Sequence, residues 1–384
     1  MNAAFYYIYF FLEEKTMAEE YVKFTERNID EYIFKKIDSE LETRDFTPFQ
    51  RMKYFWMSYR KALECSNNTQ SQYRSYCVKK KGNRYRVINV PRGELKGHQR
   101  FILQNYLEKL PVNEAAYAYR KGRRTKDPAI VHYIAGKEYL LKLDIKDFFG
   151  SIKARDVYNV FKEAFPESEE ELIVFLTNVC CFNGRLPQGA PSSPALSNIV
   201  MKAFDDEITA FAKGDNIIYT RYSDDMAFSF NKKDLQEKIK KYVEDELQKY
   251  GFKLNFKKTR LCRRSGQRFS VLGIVANEKL RAPVEYRKKI RQEVYYIKKF
   301  GIKNHIAIAK TEINGTDYGL RLYEEPLVPE EDVLEYAEKI KGRIDYVLDI
   351  DPNDNEMKEY KTFIEEIVSK ARTKLVSKKM QEFM

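Results

Sequence analysis

The stretch Ile217-Ile-Tyr-Thr-Arg-Tyr-Ser-Asp-Asp-Met-Ala-Phe-Ser-Phe230 constrains the fold more than any other. β-Branched and aromatic residues crowd both halves and Ser223-Asp224-Asp225 interrupts them, so it reads as two short strands hinged on an acidic turn. Side chains alternate faces along a strand. Neighbouring carboxylates therefore converge on one point only at such a turn, and holding like charges together calls for a cation. Magnesium suits the position, because it takes hard oxygen ligands, keeps several waters and uses one or two carboxylates beside substrate phosphates. An ordinary surface turn fits the same residues, Asp being common in turns.

A second acidic segment, Tyr139-Leu-Leu-Lys-Leu-Asp-Ile-Lys-Asp-Phe-Phe149, begins as a strand and places Asp144 at its end. Asp147 follows closely and also suits a helix cap. One sheet holding this strand and the hairpin would bring Asp144, Asp224 and Asp225 together. Three carboxylates around a pair of Mg²⁺ ions would activate an attacking hydroxyl and stabilise a leaving oxygen in in-line phosphoryl transfer. Between the acids lies Gly184-Arg-Leu-Pro-Gln-Gly-Ala-Pro-Ser-Ser-Pro-Ala-Leu-Ser-Asn198. Gly189 permits close backbone approach, Ser193 suits a cap and Pro194 the first helical position, ahead of a core-facing stripe from Leu196 to Phe211. A loop-to-helix entry explains the serines and prolines. The Gln188-Gly189 pair offers bare backbone against which a substrate could lie.

Upstream, Tyr76 to Pro91 reads as a basic hairpin projecting Lys79, Lys80, Lys81, Arg84 and Arg86, and a lysine-solubilised edge hairpin fits it equally. Downstream, Asp234 and Glu237 resemble a capping box, Phe252 to Cys262 and Arg268 to Ala276 read as strands, and the rest is helical and basic. A helix from Glu330 to Ile350 contains Gly342, which costs about 1 kcal/mol relative to Ala and is read as the mark of a close neighbour, protein or phosphate backbone. This order is α+β rather than an alternating parallel-sheet pattern. The net charge of +12 favours a phosphate-rich partner, nucleic acid above all, although an anionic membrane surface fits charge alone. The apolar run Ala3 to Leu12 is too short to span a bilayer and lacks the flanks of a signal peptide, and Met17 offers an alternative start. Cys65, Cys77, Cys180, Cys181 and Cys262 lack zinc-site spacing and read as reduced core thiols of a cytoplasmic protein.

The ordered set Asp144-Ile-Lys-Asp-Phe-Phe149, Gln188-Gly-Ala-Pro-Ser-Ser-Pro194, Tyr222-Ser-Asp-Asp225, Gly251-Phe-Lys-Leu-Asn-Phe-Lys-Lys-Thr259 and Leu272-Gly273 resembles the palm of a reverse transcriptase. The resemblance implies a right-hand polymerase of fingers, palm with antiparallel sheet and helical thumb, divided as a helical lead-in over 1–75, fingers 76–135, palm 136–280 and thumb 281–384. It implies RNA-templated DNA synthesis from dNTPs with two Mg²⁺ ions. By position, Asp144, Asp224 and Asp225 match the metal ligands, with the Ile145 carbonyl. Lys258 matches the residue assisting pyrophosphate departure, and Phe149 the bulky residue that excludes a ribose 2′-hydroxyl. Gln188 and Gly189 match the loop beside the nucleotide, Arg86 with Lys79 or Lys80 the contacts to the triphosphate, and Leu272 and Gly273 the primer grip. Arg287, Lys288, Arg291, Lys298, Arg343, Lys370, Arg372 and Lys374 would grip RNA.

The bacterial retron group is the nearest likeness, through Gln-Gly-Ala-Pro-x-Ser-Pro-x-Leu-Ser-Asn and the Ile340 to Pro352 pattern. That likeness implies a structured noncoding RNA as template and primer, an RNA-linked DNA product, a separate effector protein, a role in antiphage defence and no membrane. Pro128-Ala-Ile-Val-His132 and Val271-Leu-Gly273 depart from the group's pattern. The alternatives are another defence-associated or intron-type bacterial reverse transcriptase, or a catalytically idle RNA-binding scaffold.

Overall fold

The computed structural model describes residues 66–80, 84–168, 170–314 and 328–382, plus a short strand pair, Tyr7–Ile8 with Val22–Lys23. Most of the expected helical lead-in, Cys65 and the Lys-Gly-Asn turn lie outside the described residues. The chain divides into two compact units, Met1–Thr125 with Glu138–Cys262, and Lys126–Lys137 with Arg263–Met384. This division crosses the expected boundaries: residues 126–137 group with the C-terminal part, and that part begins at Arg263.

In the first unit, β1 (Tyr73–Lys80) and β2 (Arg84–Pro91) pair antiparallel, and α1 (Gly93–Asn105) follows. The next helix, α2 (Asp127–Ile134), belongs to the second unit. β3 (Tyr139–Asp144), β4 (Ile218–Tyr222), β5 (Asp225–Phe230) and β6 (Arg260–Arg263) form a sheet in the order β4-β5-β3-β6. Leu140, Leu141 and Leu143 of β3 and Met226 to Phe230 of β5 are all buried. Both strands are therefore covered on both faces, and their near-continuous apolar runs, rather than alternation, are the sequence mark of that burial.

Helices α3 (Phe148–Ser151), α4 (Ala154–Ala164), α5 (Glu170–Cys180), α6 (Ser193–Val200), α7 (Lys202–Gly214) and α8 (Leu235–Lys249) complete the unit. Phe161, Phe175, Leu196, Phe204, Ile208 and Val243 share one core with the strands. Each such side chain contributes about 1.5–3 kcal/mol when fully buried. The expected stripe from Leu196 to Phe211 is two helices, broken at Met201. Asp234 makes no side-chain capping bond, because its own backbone is already helical at φ −61° and ψ −25°. Phe252 to Cys262 is not one strand. Asn255 donates its backbone N–H to the Asp144 carbonyl (2.8 Å), a single bridge pairs Leu254 with Ile145, and a one-turn 3₁₀ helix intervenes before β6.

In the second unit, the expected strand from Arg268 to Ala276 is a hairpin. β7 (Ser270–Val271) turns through Leu272 and Gly273 into β8 (Ile274–Ala276), and β9 (Leu280–Arg281) pairs beside it. Leu272 and Gly273 both have positive φ, +50° and +84°, the signature of a tight two-residue hairpin turn. One guanidinium ties α2 to this hairpin. Arg264 donates to the carbonyls of Lys137 (2.8 Å), Ala276 and Asn277 (2.7 Å each) and His132 (3.0 Å), and lies 4.3 Å from the Phe269 ring centroid. His132 is wholly buried; burial first, and the Arg264 charge second, push its pKa down to about 3, so it is a neutral structural residue.

The remainder is helical: α9 (Val284–Phe300), α10 (Ile302–Asn314), α11 (Glu330–Ile350) and α12 (Asn355–Glu382). A Cβ placed on Gly342 would meet nothing within 4 Å, so no protein neighbour among the described residues explains this glycine. Cys180 and Cys181 are core thiols as expected, whereas Cys77 is exposed on β1. No described helix is long and apolar enough to cross a membrane.

Lysine at position 264 would offer one ammonium where a forked guanidinium spans several carbonyls. Arg264→Lys is expected to lower stability by about 2–3 kcal/mol, read as a fall in the urea midpoint.

Candidate active site

Beneath the acidic turn, Arg221 and Asp205 are both completely buried, at 0% exposure. Arg221 Nε donates to Asp205 Oδ1 (2.8 Å) and Oδ2 (3.1 Å), and the Tyr219 hydroxyl donates to Oδ1 (2.8 Å). Burial works against the guanidinium charge, but Asp205 outweighs it and the Arg221 pKa is raised. Its Nη1 is left to donate to the Ser223 carbonyl (3.1 Å). Ser223 needs that hold. It sits at φ +60°, a left-handed conformation that costs a non-glycine residue about 1–2 kcal/mol. The Tyr119 hydroxyl fixes the Ser223 Oγ (3.0 Å), and Ile145 N–H donates to the Asp224 carbonyl (3.0 Å).

Register then does the rest. Across β4 and β5, Tyr222 opposes Asp225; across β3 and β5, Asp144 opposes Asp225. Directly opposed residues hold their Cβ atoms about 4.5–5.5 Å apart. Asp144 and Asp225 thus share one face at the strand ends, one residue from Asp224 in the turn. Asp144, only 3% exposed, accepts from Asn255 Nδ2 at Oδ1 (2.8 Å) and from Lys258 Nζ at Oδ2. Asp225 reaches solvent, yet desolvation by the packed strands, and then the charges of Asp224 and Asp144, push its pKa up to about 6. Partial burial disfavours the Lys258 ammonium, but its bond to Asp144 and the charges of all three acids prevail and raise its pKa.

Among the described residues, no group of three His, Cys, Asp or Glu side chains forms a ready-made metal cage. Lys258 and Asn255 hold both Asp144 oxygens instead. The donors nevertheless suit a hard divalent ion: all are carboxylate oxygens, and the crowding that raises Asp225 is what a cation relieves.

The other expected residues fall in three groups. Near the acids, Phe149 is half-buried, its ring centroid 5.4 Å from that of Phe148 and 6.4 Å from that of Tyr119. Gln188 accepts the Asn89 N–H at its carbonyl (2.8 Å), and a Cβ on Gly189 (φ +125°) would lie 2.7 Å from the Asn89 carbonyl oxygen. The bare backbone at Gly189 is thus used up by close packing on β2. Asp147 is left-handed at φ +47° and makes no capping bond.

On the hairpin, Arg86 opposes Val78 and Lys79 opposes Tyr85, so Arg86 and Lys79 project from opposite faces. Position 80, opposite Arg84, alternates onto the Arg86 face. In the second unit, Leu272 and Gly273 form the hairpin tip, and most of the basic residues are already paired. Arg287 binds Asp354 (2.7 Å), Arg291 binds Glu356 (2.6 Å), Arg343 binds Glu293, Arg372 binds Glu338 (2.6 Å) and Lys374 binds Glu330 (3.1 Å). Lys298 lies over the Tyr360 and Phe363 rings. Lys288 and Lys370 are exposed, with no ion pair among the described residues.

Sequence reasoning missed Tyr119, Asp205, Arg221 and Asn255. Arg221 inside an apolar strand was the available signal, since a charge there demands a buried partner. Tyr119 carried none beyond its place in a basic loop.

Two acids at paired strand ends of an antiparallel sheet, with a third in the turn beside them, are the arrangement of a right-hand, nucleotide-transferring polymerase. The sequence pattern of the "Reverse transcriptase (RNA-dependent DNA polymerase)" family matches residues 78–276. The chain is 34% identical over 229 residues to the retron Ec86 reverse transcriptase of Escherichia coli, covering 59% of this chain and 70% of that one. It is 30% identical over 288 residues to the retron Ec73 reverse transcriptase of Escherichia coli, covering 72% and 82%. Among solved structures it is similar to a telomerase of Candida albicans (TM-score 0.45, 11% identity, 96% of this chain and 71% of that one). The chain belongs to the reverse transcriptase family, in its bacterial retron-type branch, and is an RNA-directed DNA polymerase.

Asp205→Asn leaves Arg221 buried without its counter-charge. A loss of about 3–5 kcal/mol is expected in chemical denaturation, with primer extension reduced at temperatures where the variant remains folded.

Proposed function

We propose that the chain copies part of a structured noncoding RNA into DNA with a pair of Mg²⁺ ions held by Asp144, Asp224 and Asp225 and the Ile145 carbonyl. The observation that supports this most is the register opposing Asp144 to Asp225 beside the turn that carries Asp224. When bound, such ions would activate a primer hydroxyl and offset charge on the transferred phosphoryl group. Lys258, its ammonium already on Asp144, is assigned to protonating the departing pyrophosphate. Arg86, with the position-80 lysine rather than Lys79, is assigned to the triphosphate, and Phe149 to excluding a ribose 2′-hydroxyl. Gln188 and Gly189 would shape the nucleotide site through their packing on β2, and Leu272 with Gly273 would hold the primer. Exposed Lys288 and Lys370 are the first choices for RNA phosphates.

The likeness to retron enzymes supports a wider reading. The cognate RNA would serve as template and primer, yielding RNA-linked DNA in the bacterial cytoplasm, with a separate effector and a part in antiphage defence. Sequencing the nucleic acid that copurifies, with and without RNase and DNase treatment, is expected to return DNA joined to one RNA. Untemplated product would count against it.

Asp224→Asn and Asp225→Asn are each expected to lower dNTP incorporation by roughly 10²-fold or more, while RNA binding by gel shift stays within about twofold of the parent. Retained synthesis in both would overturn the site. Phe149→Ala is expected to relax preference for dNTP over rNTP by roughly tenfold, measured as the ratio of kcat/KM values.

A further inference from the structure

Tyr119 combines strain, exposure and placement that nothing so far accounts for. Its backbone is left-handed at φ +60°, an outlier for a bulky residue, which persists only where the surroundings over-determine it. Here they do. Asn198 Nδ2 donates to the Ala118 carbonyl (2.7 Å), and Tyr117 N–H to the Arg221 carbonyl (2.8 Å). Arg120 Nη1 donates to the carbonyls of Asn113 and Ala116 (3.1 Å each). Position 119 is therefore pinned from both sides, and the residue remains 47% exposed.

Tyr119 has neighbours in both parts of the site. Its ring centroid lies 6.4 Å from Phe149, tilted 57°, and 6.5 Å from Tyr222, both within the range of aromatic pairing. Its hydroxyl holds Ser223 Oγ (3.0 Å), inside the turn that carries Asp224. Phe149 thus pairs with two rings, Phe148 and Tyr119. Without the second ring, rotation about the Phe149 χ1 would vacate the space in which a 2′-hydroxyl is refused.

We propose that Tyr119 is a positioning residue for sugar selection: its ring braces Phe149 against the incoming ribose while its hydroxyl fixes the Ser223 turn. The proposal rests on the reading of Phe149 as the residue that excludes a 2′-hydroxyl.

The test measures single-nucleotide addition to a supplied RNA template and DNA primer by the full chain, with a dNTP and its rNTP. Tyr119→Asn removes the ring while suiting a left-handed backbone, and Tyr119→Phe removes only the hydroxyl. Tyr119→Asn is expected to lower the dNTP:rNTP ratio of kcat/KM by roughly tenfold, chiefly through a lower KM for the rNTP. Adding it to Phe149→Ala should change that variant's ratio by no more than about twofold. Tyr119→Phe should keep the parental ratio with a reduced kcat. Phe149→Ala relaxing the ratio while Tyr119→Asn slows both substrates equally would overturn the role of Tyr119 alone. An unchanged ratio in Phe149→Ala would overturn the reading of Phe149 and this inference with it. Should Tyr119→Asn fail to fold, Tyr119→Leu carries the same comparison: it keeps bulk but not the planar brace, so an unaltered ratio there would also overturn the proposal.

Discussion

The buried pair of Arg221 and Asp205 is the interaction on which the catalytic end of the sheet depends. Burying two charges costs more than an apolar pair of the same volume would, so stability alone does not favour it. Its benefit is directional. A guanidinium locked on Asp205 through Nε still has Nη1 to hold the Ser223 carbonyl of the strained turn. Because Tyr219 also commits its hydroxyl to Asp205, the three polar groups leave one another a single arrangement. Turn geometry, and with it the place of Asp224, is set by this buried pair together with the Tyr119 hydroxyl on Ser223.

Above the sheet the balance is electrostatic. Asp144, Asp224 and Asp225 repel one another, and Lys258 with Asn255 absorbs part of that repulsion, most directly at Asp144. The residual strain falls on Asp225, whose carboxyl holds its proton up to about pH 6. An arrangement so poorly compensated favours the arrival of positive charge.

Much of this was legible in the sequence, and the failures share a cause. Asp144, Asp224 and Asp225 could be picked out as candidates because they sit at strand ends or in the turn between strands, where local chemistry and topology agree. Lys79 could not be told from its neighbour, since the face of a strand residue depends on register, and the turn residues that set it carry no such information. Gly189 was read as a gap for a ligand, whereas Asn89, far off in sequence, fills it. The helical arginines looked like RNA ligands because periodicity finds an exposed face but not the carboxylates of the next helix, so Arg287, Arg291, Arg343 and Arg372 turned out to be occupied.

The path of α2 bears on how such a chain can be divided. Residues 126–137 leave the first unit, join the second, and return before the first catalytic strand begins, so the polypeptide passes between the units three times. Arg264 closes that excursion by gripping the carbonyls of His132 and Lys137 from the C-terminal side. A cut after Cys262 would therefore not release a self-sufficient catalytic piece, because α2 would stay behind stripped of the guanidinium that anchors it. Exchange of C-terminal parts between relatives must therefore carry α2 along, although it lies far upstream in the sequence.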